Sequence, residues 1–483
     1  MNLADVIRKE FLPIIKADNN LMVIFHCNHF IIAKGCFFMV KRLLAFLLVV
    51  LAVLCIPVAA FADTGSAIDT GDTAFIFVST VLVFIMTPGL AFFYGGLVRK
   101  KNVLNTMMNS FVVMALISIQ WVVIGYSIAF GPDKGGLFGG LEWLGLNGVG
   151  MEPNADYAAT IPQYLFVLFQ MMFAIITPAL ITGSFAERMR FPAFLAFILL
   201  WATLVYDPLA HMVWGVGGWL RNLGALDFAG GTVVHISSGV AGLVAALVLG
   251  KRKGYKTIPM IPHNIPFVLI GGALLWFGWF GFNAGSSLGA NGVAMSAFIA
   301  TNTAAAAAVL SWVIIEWVHH GKPTLLGAVT GAVVGLVAIT PAAGFVSPVS
   351  AIIIGLLVSP LCYFAISVVK ARLGYDDSLD VFGCHGVGGM WGALATGLFA
   401  SKTVNEAGNN GLFFGNPAQL GIQALSIIVT IAISGILTFL ILKVISIFTK
   451  LKATEQEEDE GLDTAQHGED AYPDFASQES LSL

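Results

Sequence analysis

The chain is a succession of long apolar runs separated by short polar stretches. Beyond residue 62, eleven runs are each long enough to span a bilayer as a helix of roughly 20 residues. They lie near 73–98, 107–130, 161–183, 192–210, 228–250, 265–283, 294–318, 324–341, 348–369, 379–400 and 420–446. The pattern predicts an all-α, polytopic membrane protein with eleven transmembrane helices. Upstream, Met39-Val-Lys-Arg, an apolar run from Leu43 to Val58 and Ala60-Phe-Ala62 form a secretory signal pattern. Residues 39–62 are therefore expected to be a signal peptide, with a mature chain from about Asp63. Residues 1–38 read as an extension that is not translated, or else as an extra anchor helix.

The basic residues orient the runs. Arg99, Lys100 and Lys101 follow the first run, and Arg188 and Arg190 the third. Lys251, Arg252, Lys253 and Lys256 follow the fifth, Lys322 the seventh, and Lys370 and Arg372 the ninth. Lys443, Lys450 and Lys452 close the eleventh, while the opposite connections hold only Lys134, Arg221 and Lys402. This alternation predicts an amino terminus outside and a carboxyl terminus in the cytoplasm, in a cell membrane.

Two polar interruptions stand out. Asp227-Phe-Ala-Gly-Gly-Thr-Val-Val-His235 opens the fifth run, and Asp380-Val-Phe-Gly-Cys-His385 opens the tenth. A titratable side chain inside a spanning segment is costly and marks a functional site by default. Histidines in the fifth and tenth runs suggest two five-helix repeats plus one helix. An odd number of helices per repeat makes the repeats inverted, with a site at their interface. At 1.5 Å per residue, His235 lies ~10 Å deep from Phe228, and His385 ~9 Å deep from Leu379 on the other face. Both approach the midplane and can share one pore. Hydrogen-bonded packing histidines are the plainer alternative, weaker in lipid than in a soluble core. A metal site is disfavoured, because two histidines with only Cys384 nearby do not complete a usual ligand set.

Composition narrows the class. Only 11% of residues are charged and 57% are hydrophobic, which excludes a soluble domain of this length. No basic patch suits nucleic acid. The cysteines Cys27, Cys36, Cys55, Cys362 and Cys384 suggest neither a disulfide nor a metal site. No nucleotide loop or nucleophile elbow appears, so neither an enzyme nor a cofactor is expected. Asp227 reads as a helix cap that also makes the pore mouth more negative. Asp380 can cap the tenth run in the same way, with Asp376 and Asp377 read as loop residues. His211, His263, His319 and His320 read as surface or interface residues. The tail 447–483, opening with Glu455-Gln-Glu-Glu-Asp-Glu460, reads as acidic, cytoplasmic and partly disordered.

Five stretches resemble the ammonium transporter family (Amt, Mep and Rh proteins), most nearly its Amt branch. They are Thr87-Pro-Gly-Leu-Ala-Phe-Phe-Tyr-Gly-Gly-Leu-Val98, Ala210-His-Met-Val-Trp-Gly215, Asp227 to Ile236, Gly278-Trp-Phe-Gly-Phe-Asn-Ala-Gly-Ser286 and Asp380 to Gly386. The resemblance runs from about Asp72 to Tyr472. It implies a homotrimer with one pore per subunit, carrying ammonium, ammonia or methylammonium. Trp214 and Ser286 resemble the outer recruitment site for the cation. Phe173 and Phe282 resemble the stacked aromatic gate, with Phe169 close to it. His235 and His385 resemble the twin pore histidines, and Asp227 the aspartate that supports the outer site without touching substrate. Gly461-Leu-Asp463, His467-Gly-Glu469 and Ala471-Tyr472 resemble the family's regulatory tail, which helps bind a PII-type nitrogen-signalling protein. Taken singly, Trp214 also fits an interfacial aromatic belt, and the two phenylalanines fit ordinary packing. An ammonium sensor acting through a cytoplasmic partner is the first alternative. A different inverted-repeat transporter is the second, disfavoured by the histidine pair.

Overall fold

The computed structural model describes residues 68–473. The candidate signal segment, the extension before it and residues 474–483 lie outside the described residues. A helix stands at every predicted run. In chain order they are α1 (Thr70–Leu97), α2 (Lys100–Phe130), α3 (Gln163–Phe185), α4 (Phe191–Asn222) and α5 (Gly231–Leu249). Then come α6 (Ile265–Gly285), α7 (Gly292–His320), α8 (Leu325–Ile339) and α9 (Pro348–Leu373). The helix α10 covers 382–399, and α11 is Pro417–Phe448. Among the described residues nine helices are long and apolar enough to cross a membrane; α8, with 15 residues, and α10 fall outside that set.

Local chemistry sets the ends. Asp69, Asn264, Asn291, Thr324 and Ser347 each accept a backbone N–H from the first turn of α1, α6, α7, α8 and α9 respectively. Proline stands in the first turn of α4, α6, α9 and α11, where its missing N–H is not needed. The helices α1 and α6 press together where side chains are absent. A Cβ on Gly271 would stand 2.2 Å from the Phe93 nitrogen, and one on Gly96 2.6 Å from the Asn264 carbonyl oxygen. Large apolar side chains such as Phe77 and Phe84 on α1, Leu310 and Val318 on α7, and Ile436 and Ile447 on α11 are exposed. Such a surface is tolerable only against lipid or another subunit. The α2–α3 connection adds two short antiparallel strand pairs, Asp133–Lys134 with Phe138–Gly139 and Pro153–Asn154 with Ala158–Pro162.

The basic connections are not merely solvated. Glu187 is buried and accepts from Arg99 and Arg252, at 3.0 and 2.8 Å. Arg252 also grips Asp376 at 2.8 Å, and buried Arg188 donates to the Asp376 carbonyl and the Ser378 hydroxyl. Asp376 and Asp377, read from sequence as loop residues, do lie in a loop, but both are fully buried. Burial alone would raise the Glu187 carboxyl; Arg252 and Arg99 outweigh it and hold it below the usual carboxylate range. Asp376 is lowered in the same way, mainly by Arg252 against its own burial. Burial brings the Arg188 guanidinium down to about 10. Depressed carboxylates stabilise the fold fully above their unfolded pKa near 4, and that contribution disappears as pH falls through the lower folded value. Glu187→Gln takes the charged partner from half-buried Arg99 and one of two from buried Arg252, and should destabilise the protein by about 3 kcal/mol. The measurement is thermal unfolding in detergent between pH 3 and 8. The wild type should weaken only at the acid end. The variant should be weaker at neutral pH and lose less on acidification.

In the tail, expected to be partly disordered, the described residues are ordered. Residues 449–473 fold back onto the connections. Thr454 and Glu457 form a reciprocal capping box on a short helix α12 (Glu455–Glu460). Leu462 is fully buried, and its N–H donates to Asn102 Oδ1 at 2.8 Å. Asp463 Oδ1 accepts from Asn105 N at 2.7 Å, so the tail caps the first turns of α2. Lys253 pairs with Asp459, and Lys452 with buried Glu458. The acidic run is matched to the basic connections rather than left in solvent.

Candidate functional site

The two histidines meet. His235 lies in the π-helical turn Gly231–Ile236 that opens α5, and His385 in the π-helical turn Phe382–Gly386 that opens α10. Such turns insert an extra residue into the helix and recur at functional sites. Both imidazoles are buried. Their Nδ1 atoms are 3.3 Å apart, with ring planes inclined by 23°. An Nδ1···Nδ1 hydrogen bond needs one donor and one acceptor, so the pair shares a single proton between facing nitrogens. Among the described residues His235 Nε2 has no hydrogen-bond partner, and the ring stacks against Trp279 at 5.4 Å. Both histidines line an apolar cavity of about 10 Å³, walled by residues such as Leu90, Ile176, Trp279 and Val333.

On one side of this cavity two rings close the column. Phe173 and Phe282 lie 4.2 Å apart between centroids, and Phe282 also stacks on His235. Phe173 meets Trp214 edge-on at 6.1 Å. Beyond them is a cavity of about 200 Å³ lined by Trp214, Ser286, Phe173, Gln170, Asp156 and Arg221, among others. Ser286 donates its hydroxyl to the Phe282 carbonyl at 2.8 Å, so the oxygen lone pairs remain as acceptors in the cavity. Phe169 packs edge-on to Phe173 at 5.1 Å but is fully buried and lines neither cavity. It packs behind Phe173. On the other side, His385 opens into a third cavity of about 340 Å³ at the tail end of the molecule. Trp214, Ser286, Phe173, Phe282, His235 and His385 therefore form one column: wide, closed by two rings, narrow past two imidazoles, wide again.

Asp227 sits beside the column, not in it. Oδ1 accepts from Gly230 and Gly231 N–H at 2.8 and 2.5 Å; Oδ2 accepts from Thr232 and Val233 N–H at 2.8 and 3.2 Å and from the Thr232 hydroxyl. Its backbone carbonyl accepts the Trp214 indole N–H at 2.8 Å. One residue thus caps α5 and fixes Trp214.

The sequence profile of the Ammonium Transporter Family matches residues 74–472. The chain belongs to the ammonium transporter family. It is 58% identical to an ammonium transporter of Bacillus subtilis, over 84% of this chain and 99% of that protein. It is 47% identical to the ammonium transporter Amt1 of Archaeoglobus fulgidus, over 83% and 99%. Among solved structures, Saccharomyces cerevisiae Mep2 superposes with a TM-score of 0.76 at 38% identity, over 80% of this chain and 88% of that one.

Two readings of this family member change in three dimensions. Asp380 does not cap α10. It adopts a left-handed backbone at φ 60° and pairs with Lys370 at 2.5 Å. The cap is Asp377, whose Oδ2 accepts from Phe382 N at 2.8 Å. Asp377 precedes His385 by the same eight residues by which Asp227 precedes His235, so the repeat was readable from spacing; the neighbouring Asp380 obscured it. His211 is not a surface residue. It is buried, with Nδ1 on the Ala129 carbonyl at 3.1 Å and Nε2 on Asp133 at 2.9 Å. It ties the α2–α3 connection to the end of α4 that carries Trp214. His319 and His320 are exposed, as expected, and His263 is half-buried against Val98 and Tyr472. Asp156, Arg221 and Gln170 line the Trp214 cavity and carried no sequence signal.

Proposed function

We propose that this chain transports ammonium across the cell membrane through the column, recruiting the cation at Trp214, removing its proton and conducting ammonia past His235 and His385. The observation that carries this is the Nδ1···Nδ1 contact of 3.3 Å inside an apolar constriction between two wider cavities. An intact cation is expensive in such a place. Neutral ammonia is far cheaper, and paired imidazoles give it a polar resting point. Imidazole also titrates near physiological pH, so the pair can relay the proton. Trp214 offers an indole face for a cation–π contact, and Ser286 an acceptor for one N–H. The rings of Phe173 and Phe282 exclude water and hydrated ions. Potassium cannot become neutral by losing a proton, so it is refused.

The same proposal takes all eleven helices as spanning, in two inverted five-helix repeats plus α11, with Trp214 facing outside and the tail in the cytoplasm. It takes the mature chain to begin near residue 63 and the assembly to be a homotrimer. The matched caps Asp227 and Asp377 support the repeat. Methylammonium tracer uptake by reconstituted vesicles tests transport directly. A sensor without flux is the outcome that defeats it, and the 58% identity to a protein named as a transporter favours flux.

The docked tail supports a regulatory role with a PII-type protein. Truncation after Ala453 removes Leu462 and Asp463 from the α2 end. The truncated protein should keep its trimer but bind a PII-type protein at least tenfold more weakly. Size-exclusion chromatography and a binding titration check this; undiminished binding would exclude the tail as the contact.

A further inference from the structure

The cavity at the tail end has its own polar mouth. Trp312 is buried on α7 and meets Tyr363 of α9 edge-on at 5.5 Å. Glu316 lies one turn beyond Trp312. Its Oε1 accepts from the Trp312 indole at 3.2 Å, and its Oε2 from Thr324 N–H and hydroxyl at 2.8 and 2.9 Å. Those three bonds fix the carboxylate and leave Oε1 able to accept another. Among the described residues Glu316 forms no ion pair with a basic side chain. Its position depends on Gly327, where a Cβ would stand 2.2 Å from Oε1. The Tyr363 hydroxyl bridges His319 Nδ1 at 2.6 Å and His320 Nε2 at 2.8 Å. Trp312, Glu316, His320 and Tyr363 all line the cavity that ends on His385.

This resembles the Trp214 end in chemistry and in place. Trp214 precedes His235 by 21 residues, and Tyr363 precedes His385 by 22. Two aromatic faces and an unpaired, fixed carboxylate around an open cavity suit a small cation with N–H donors. We propose that Trp312, Tyr363 and Glu316 form a second binding site for an ammonium-type cation, at the tail-side mouth of the pore. It collects the ion re-formed after ammonia passes His385, and it loads the pore for flux in the reverse direction. The site rests on the transport reading above.

Oriented vesicles with tracer methylammonium on either side test it. Glu316→Gln and Tyr363→Leu should each raise the half-saturating concentration from the tail side by about fivefold or more, and leave it unchanged from the Trp214 side. Thr324→Ala removes one of the three bonds that fix Glu316 but keeps the carboxylate, so it should raise the tail-side value less than Glu316→Gln does and leave the Trp214 side unchanged. Equal shifts on both sides would assign Glu316 a structural role and overturn the site, as would no shift on either. Wild-type flux tests the transport reading, and the side dependence of the variants tests this one. Binding without flux is read by ammonium titration of tryptophan fluorescence in a Trp214→Phe background. A saturable change should remain there and vanish on adding Glu316→Gln; no change in the Trp214→Phe protein also overturns the site.

Discussion

Replacing His235 and His385 together by alanine is expected to cut ammonium transport by about 10²-fold or more, the scale on which a positioned proton-transfer group acts. The two rings supply the polar atoms named above within the constriction, and alanine replaces them with an apolar void. Ammonia then has no polar resting point, and the proton has no relay. Any residual flux should lose selectivity, because an ion in a widened void no longer meets a barrier that only deprotonation relieves. His235→Asp should behave differently. It sets a carboxylate opposite His385, favours a protonated imidazole there and draws water into the column. Ammonium- and potassium-driven currents in vesicles separate the cases. Full-rate, potassium-excluding transport by the double variant would reduce the histidines to packing residues. Since His235 also stacks on Trp279 and Phe282, a thermal melt should accompany each current trace.

Asp227→Asn should be nearly as damaging, by another route. The carboxylate accepts five hydrogen bonds in a buried site. An amide keeps one oxygen and turns an NH₂ toward the donors that faced the other. At about 1–3 kcal/mol for each buried donor left without a partner, a loss of several kcal/mol follows. The first turn of α5 loosens, and with it the carbonyl that holds the Trp214 indole. Melting temperature and transport should therefore fall together, with the half-saturating concentration rising from the Trp214 side. If Asp227 instead touched the cation, Asn would keep the melting temperature and lose only affinity. An unchanged melt and an unchanged affinity would dispose of both roles.

The sequence alone determined the helical runs, because a spanning segment must satisfy its own backbone and face lipid, and both demands are written locally in hydropathy. It also pointed to the meeting of His235 with His385, since two titratable residues at matching places in two apolar runs can share one site. Element ends were less legible. The second run is expected from 107, whereas the helix begins at Lys100, and α7 runs to His320, two histidines past its expected end. Only the tertiary structure decided the rest. The π-helical turns that aim both imidazoles into one constriction depend on packing between α5 and α10, which no window of sequence carries. Asp377 rather than Asp380 became the cap because the chain turns left-handed at Asp380 and sends that side chain to Lys370. His211 became buried because the end of α2 and the connection after it supply its acceptors, Ala129 and Asp133. The acidic tail became ordered because the basic connections of other helices converge beneath it. Except at Asp380, the deciding partner lies far along the chain, and a charge or a polar atom takes its role from the group that ends up opposite it.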